Sequence, residues 1–192
     1  IKERFNLPAI AHFTCRDLSP QEVENQLMDH HYFGVTNILA LRGDPPTDQP
    51  DWNPHEHAFQ YAYQVIEQIR KMNEGVFLER SSDRKDDVKK ATDFCIGAAV
   101  YPEHPHQEER FDFFKRKIDA GAEYGITQML FDADVYSDFL ETASKKSISA
   151  PVLPGSLILK SKTQAQALSQ RFNVKVSEKI LKKLPEKRPE GS

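Results

Sequence analysis

Five short apolar runs punctuate the chain, at residues 8–15, 35–41, 94–101, 124–131 and 151–155, and segments with apolar residues three and four apart lie between them. A continuous apolar run bounded by turn residues predicts a buried strand, and the 3.6-residue period predicts a helix packed along one stripe. The first helix has a marked start. Ser19 is its N-cap, Pro20 takes the first helical position, and Glu22, three residues after the serine, completes a capping box. Val23, Leu27 and Met28 form its apolar stripe, and Gly34 ends it. A second helix carries Phe59, Ala62, Val65, Ile66, Ile69 and Met72 as far as Gly75. A third, over 107–120, turns Phe111, Phe114 and Ile118 inward and Arg116 and Lys117 onto its surface, and Gly121 closes it. A fourth, over 134–145, buries Val135, Phe139 and Leu140; a fifth passes through Gln164, Ala167 and Leu168; a short last one is capped by Ser177.

Each strand is followed by a helix, and connections of that length join parallel strands, so the fold class is α/β. Two architectures remain: an open doubly wound sheet, or consecutive units from within a (βα)8 TIM barrel. The absence of an initiator Met and the abrupt start favour the partial barrel, one domain over 1–184, with a polar tail, 185–192, that frays. Pro45, Pro46, Pro50 and Pro54 make 45–54 a loop over a strand end. Residues 79–93, nearly all charged or small, read as a solvated connection.

Composition narrows the partners. The 192 residues carry 26 Lys and Arg against 29 Asp and Glu, a formal net charge of -3, which offers no general attraction to nucleic acid or an anionic membrane. No apolar run approaches the roughly 20 residues that span a bilayer. Two cysteines, Cys15 and Cys95, each within an apolar run, are too few for a disulfide framework or a zinc ribbon, and a reducing, cytoplasmic compartment fits.

Candidate chemistry sits at the strand ends. His12 and Thr14, Arg42 and Asp44, Tyr101 and Glu103, Thr127 and Gln128, and Pro154 and Gly155 come out on one rim if the strands are parallel. Ordinary loop polarity accounts for some of them. Gln128 differs, because an amide inside an apolar run needs a ligand or a polar neighbour. Arg42-Gly43-Asp44 is also the tripeptide of adhesion loops, a reading that its place behind a buried strand rejects. His55-Glu56-His57 and Glu103-His104-Pro105-His106 lack the spacing of a metal site and read as solvated loop histidines, so no metal is expected. Arg116 and Lys117 either hold a phosphate or form a wet helix face.

The runs Leu41-Arg42-Gly43-Asp44-Pro45, Tyr101-Pro102-Glu103 with a following His, Lys117-Ile-Asp119-Ala-Gly-Ala122 and Thr127-Gln-Met-Leu-Phe-Asp132 resemble methylenetetrahydrofolate reductase, in the right order from about Asn6 to Val176. The resemblance implies a (βα)8 barrel of which this chain carries strands three to seven. It implies FAD as cofactor, NADH or NADPH as hydride donor, and reduction of 5,10-methylenetetrahydrofolate to 5-methyltetrahydrofolate in one-carbon and methionine metabolism. By position it makes His12, Arg42, Gly43, Asp44, Ala62 and Tyr101 flavin-site residues, and brings His104, Arg116 and Lys117 to the ribityl and phosphate portion. Asp44 and Gln128 become the catalytic pair, and Gln128, Gln164 and Leu168 the folate contacts. Homo-oligomers are common in the family. The chain departs from the family at Pro154-Gly155-Ser156-Leu157-Ile158, where Pro-Gly-Ile-x-Pro is usual, and in a short segment between Tyr101 and Lys117. The family's first strand, with its general-acid Glu, its second and its eighth have no counterpart in these residues, so the isolated chain is expected to be inactive. Two other readings stand beside this one: a TIM-barrel enzyme using Asp44 and Lys117 on a phosphorylated substrate, and a non-catalytic homologue acting as a binding or assembly subunit.

Overall fold

A computed structural model describes residues 2–46, 48–49, 51–80 and 89–187. Pro50, residues 81–88 of the charged connection and residues 188–192 of the tail lie outside the described residues. A short helix, α1 (Lys2–Phe5), precedes five strand–helix units. These are β1 (Ile10–Thr14) with α2 (Pro20–Tyr32), β2 (Asn37–Leu41) with α3 (Ala62–Asn73), β3 (Cys95–Val100) with α4 (Gln107–Ala120), β4 (Tyr124–Met129) with α5 (Ala133–Lys145), and β5 (Val152–Gly155) with α6 (Lys162–Phe172). A last helix, α7 (Glu178–Leu181), follows.

The strands form one sheet in the order β1-β2-β3-β4-β5, and the described pairs β1–β2, β2–β3 and β4–β5 are parallel. A strand order that repeats the chain order is that of consecutive barrel units; a doubly wound sheet reverses direction at its centre. The observed order is consistent with consecutive units of such a barrel.

The chain divides into two compact units, Ile1–Ala98 with Arg116–Tyr124, and Ala99–Lys115 with Gly125–Ser192. In the first unit, the register Phe13↔Ala40↔Ala98 and Ala11↔Ile38↔Ile96 puts one sheet face into the core. Val23 and Leu27 of α2 and Val65, Ile66, Ile69 and Met72 of α3, all 0% exposed, complete that core. The Ser19 box forms as its residues require: Ser19 Oγ accepts from Glu22 N–H (3.3 Å), and Glu22 Oε2 accepts from Ser19 N–H (2.8 Å). Gly34 and Gly75 take left-handed φ values of 70° and 77° where α2 and α3 stop. Two expectations fail here. Met28, one residue round the helix from buried Leu27, points outward, and α3 begins at Ala62, leaving Phe59 in the loop before it. Glu24, on the same helix, is 1% exposed; its carboxylate accepts Leu78 N–H and Arg80 Nη2, both at 2.9 Å, tying the chain beyond α3 to α2.

The second unit has a smaller, aromatic core. Phe139 of α5 stacks on Phe111 of α4 at 5.0 Å between centroids and meets Phe114 at 6.1 Å. Arg110 lies 4.8 Å over the Phe111 ring. Leu140 stays exposed, because Phe139 beside it takes the inward direction on α5. Strand β5 is held by side chains as well as by its ladder: Gly155 N–H donates to Thr127 Oγ1 (2.8 Å), and Tyr136 OH donates to Val152 O (2.7 Å). A Cβ on Gly155 would stand 2.3 Å from Thr127 O, so only glycine permits this approach. The start of the tail is pinned, with Lys162 N–H donating to Pro185 O (2.9 Å) and Thr163 Oγ1 to Glu186 O (2.7 Å).

Candidate active site

In the first unit the site residues gather at the ends of β1 and β2. Partners in a parallel pair share a face, so His12 beside Leu39, and Thr14 beside Leu41, lie on the sheet face opposite the core. Past the ladder, Cys15 N–H donates to Leu41 O (3.1 Å) and Arg16 Nη1 to Asp44 O (2.7 Å), which latches the loop after β2 onto the end of β1. Gly43 makes that latch possible. Its φ is +94°, and a Cβ there would stand 2.5 Å from Thr14 Cγ2 and 2.8 Å from Arg16 Cβ. The side chains of Arg42 and Asp44 on either side of it are exposed. Cys15 is sealed beneath, where burial pushes its thiol up to about 11. Ala62, the first residue of α3, is 9% exposed and packs in the core.

Arg116 and Lys117 are neighbours in sequence and differ in environment. Arg116 is exposed, in an open depression with Tyr63, Glu67 and Asp119. Lys117 is half-buried, and desolvation pushes its ammonium down to about 8. Lys117 is thus less open to water than Arg116.

On the same face of the first unit lies Tyr124, unflagged by its sequence context. Its ring covers Gly97, where a Cβ would be 2.4 Å from Tyr124 Cζ. The phenol oxygen is buried with no hydrogen-bond partner, and burial, with Cys95 and Glu123 nearby, raises it to about 12.

In the second unit, Tyr101, His104 and Gln128 line one cavity of about 50 Å³, walled by residues 101–105, 128–130 and 172–174. The partner expected for Gln128 is the backbone: its Oε1 accepts Met129 N–H at 3.0 Å. Gln164 and Leu168, on α6, are outside that lining. Gln164 caps its own helix, with its N–H donating to Ser161 Oγ (3.1 Å) and its Oε1 accepting Lys160 N–H (2.7 Å). Glu103 lines the cavity too; both of its carboxylate oxygens accept Lys175 N–H, at 3.2 and 3.1 Å, and its carbonyl accepts Asn173 Nδ2 at 3.3 Å. The acid was visible in Tyr-Pro-Glu, but partners some 70 residues away leave no local signal.

Among the described residues, no group of three or more His, Cys, Asp or Glu could hold a metal ion, and no helix is long and apolar enough to cross a membrane.

A family model described as methylenetetrahydrofolate reductase matches residues 1–191. Methylenetetrahydrofolate reductase 2 of Saccharomyces cerevisiae is 33% identical over 155 residues, 78% of this chain and 23% of the yeast protein. The 5,10-methylenetetrahydrofolate reductase of Escherichia coli is 32% identical over 180 residues, 92% of this chain and 52% of the bacterial protein. The chain thus spans about half the length of its bacterial relative. An uncharacterised Clostridium thermocellum protein that binds two copies of 5-methyl-5,6,7,8-tetrahydrofolic acid superposes at a TM-score of 0.41 and 12% identity, covering 92% of this chain and 75% of its own.

Proposed function

The chain belongs to the methylenetetrahydrofolate reductase family, and from that premise we propose that it is the flavin- and folate-binding part of an NADH- or NADPH-dependent reductase. In this reading it supplies strands three to seven of a closed (βα)8 barrel that reduces 5,10-methylenetetrahydrofolate to 5-methyltetrahydrofolate. The observation that carries the proposal is the family match over residues 1–191.

The residues suit FAD in kind. Arg42 and Arg116 offer exposed guanidinium groups, which pair with phosphate oxygens in a fixed fork. Burial disfavours the charge of Lys117, and an anionic diphosphate beside it restores that charge. His12, Gly43, Ala62, Tyr101 and His104 complete the assigned flavin contacts. FAD, when bound, supplies the hydride chemistry between nicotinamide and folate. The exposed Asp44 carboxylate, at the end of β2, favours the cationic iminium form of the folate, which accepts a hydride more readily. Gln128 presents its amide nitrogen to the folate while Met129 N–H holds its oxygen. Gln164 and Leu168 add folate contacts. A cytoplasmic homo-oligomer belongs to the same reading.

The test is the visible spectrum of the whole protein that contains this chain, followed by anaerobic addition of NADH or NADPH and then methylenetetrahydrofolate. Flavin absorbance that bleaches with the nucleotide and returns with the folate is expected. A protein that takes up no FAD sinks the proposal and favours a non-catalytic homologue. Asp44→Asn should slow folate reduction at least about tenfold more than flavin reduction, about 1.4 kcal/mol of selective transition-state loss. Equal slowing of both half-reactions counts against the role given to Asp44.

A further inference from the structure

Resting on the flavin reading, we propose that Glu103 is a positioning residue: it clasps the chain at the end of α6 and thereby fixes the loop that carries Tyr101 and His104. The clasp has two points. The Glu103 carboxylate takes Lys175 N–H with both oxygens, and its carbonyl takes Asn173 Nδ2. Asn173 is the C-cap of α6, held left-handed at φ 53°, so the helix end and the clasp share a residue. Val174, between the two donors, is 4% exposed. Residues 101–105 and 172–174 wall the same cavity, and the clasp joins those two walls. The loop is tied from α4 as well, since Arg110 Nη1 donates to the carbonyl of buried Pro102. Between these ties stand Tyr101, 43% exposed, and half-buried His104.

The clasp depends on charge. A carboxylate accepting a backbone N–H makes a stronger bond than a neutral acid does. Burial pushes the Glu103 carboxyl up, Lys175 pulls it down through its N–H and its charge, and Asp132 pushes it up; the balance lies above the usual carboxylate range. Acidification therefore weakens this clasp earlier than it would an ordinary exposed glutamate. Bound flavin favours the charged, clasped form, so flavin affinity falls as the pH drops through that raised value. His104, Asp132 and Lys175 are the other titratable groups around the clasp, and all three persist in a Glu103 variant.

FAD titrations of the whole apoprotein, read by quenching of flavin fluorescence across the mildly acidic to neutral range, test this. Glu103→Ala is expected to weaken FAD about tenfold at neutral pH, equivalent to about 1.4 kcal/mol. Glu103→Gln keeps an oxygen for Lys175 N–H but not the charge, so at neutral pH it should bind FAD about as weakly as the acidified unsubstituted protein does, and lack most of the acid-side loss. Unchanged affinity in Glu103→Ala overturns the inference, as does an acid-side loss in Glu103→Gln equal to that of the unsubstituted protein. Should Glu103→Ala fail to fold, Asn173→Ala decides, by a loss of about threefold expected from one hydrogen bond or by no change, which overturns the inference. No FAD on the unsubstituted protein defeats the flavin reading and this inference together. FAD on that protein with unaffected variants defeats this inference alone.

Discussion

The two units hold themselves together by different means. The first has a wide aliphatic core, with residues from β1, β2, β3, α2 and α3 all fully or nearly fully buried. The second concentrates its apolar contact on Phe139, against Phe111 and Phe114, and fastens β5 with hydroxyl-to-backbone bonds. A broad core spreads the cost of any one loss over many neighbours, whereas an aromatic hub does not. The first unit should therefore tolerate conservative change, and the second should fail at single residues.

The sharpest test of that contrast is a pair. Phe139→Ala should cost about 3–5 kcal/mol, against about 0.5–1.5 kcal/mol for Ile66→Val in the α3 stripe, the ranges for aromatic truncation and for loss of one methyl group. Equilibrium denaturation of the whole protein measures both; equal costs would break the comparison. Gly155→Ala comes next. Its new Cβ meets the Thr127 carbonyl, which is backbone and cannot rotate aside. A cost of about 1–3 kcal/mol is expected, and unchanged stability would mean that β5 moves freely against β4.

The contrast also governs what could be read from the residues alone. The first unit follows local rules: the Ser19–Glu22 box, the α3 stripe from Ala62 to Met72 and the glycine stops each depend on residues within one or two turns. Where it misled, the error was rotational. Met28 and Leu140 each sit one position from a boundary between packed and open faces, and sequence spacing resolves such a boundary poorly. The strand ends that carry Tyr101 and Gln128 were legible, and the cavity joining them follows from parallel strands ending together. The polar ties were not. Glu24 to Leu78, Thr127 to Gly155 and Glu103 to Lys175 join residues far apart in the chain, and nothing in either local context announces the other.

Lys117, partly exposed yet desolvated, offers a test of how far such a position is packed. Its folded pKa is lowered, so between about 8 and its ordinary value of 10.5 the unfolded chain holds the proton and the folded chain does not. Stability contributed by this group thus rises with pH across that window. Cys15, raised to about 11, acts in the opposite sense above pH 9, so the unsubstituted protein alone cannot separate them. Lys117→Met can. The variant should be the more stable below about pH 8, with its advantage shrinking toward pH 10.5. A difference independent of pH would place Lys117 on a wet face.

The smallest expected effect lies on the face of the first unit opposite its core. Tyr124 lays its ring on Gly97, yet its hydroxyl is buried without a hydrogen-bond partner. A buried donor left unmade costs free energy that removal of the group recovers, while the ring keeps its packing. Tyr124→Phe should therefore stabilise the protein by about 1 kcal/mol, read as a higher denaturation midpoint at unchanged slope. It should also abolish any phenol that titrates only near pH 12 in the folded protein. A loss of stability would mean that the hydroxyl has a partner, and the broad aliphatic unit would then depend on polar contacts as the aromatic one does at β5.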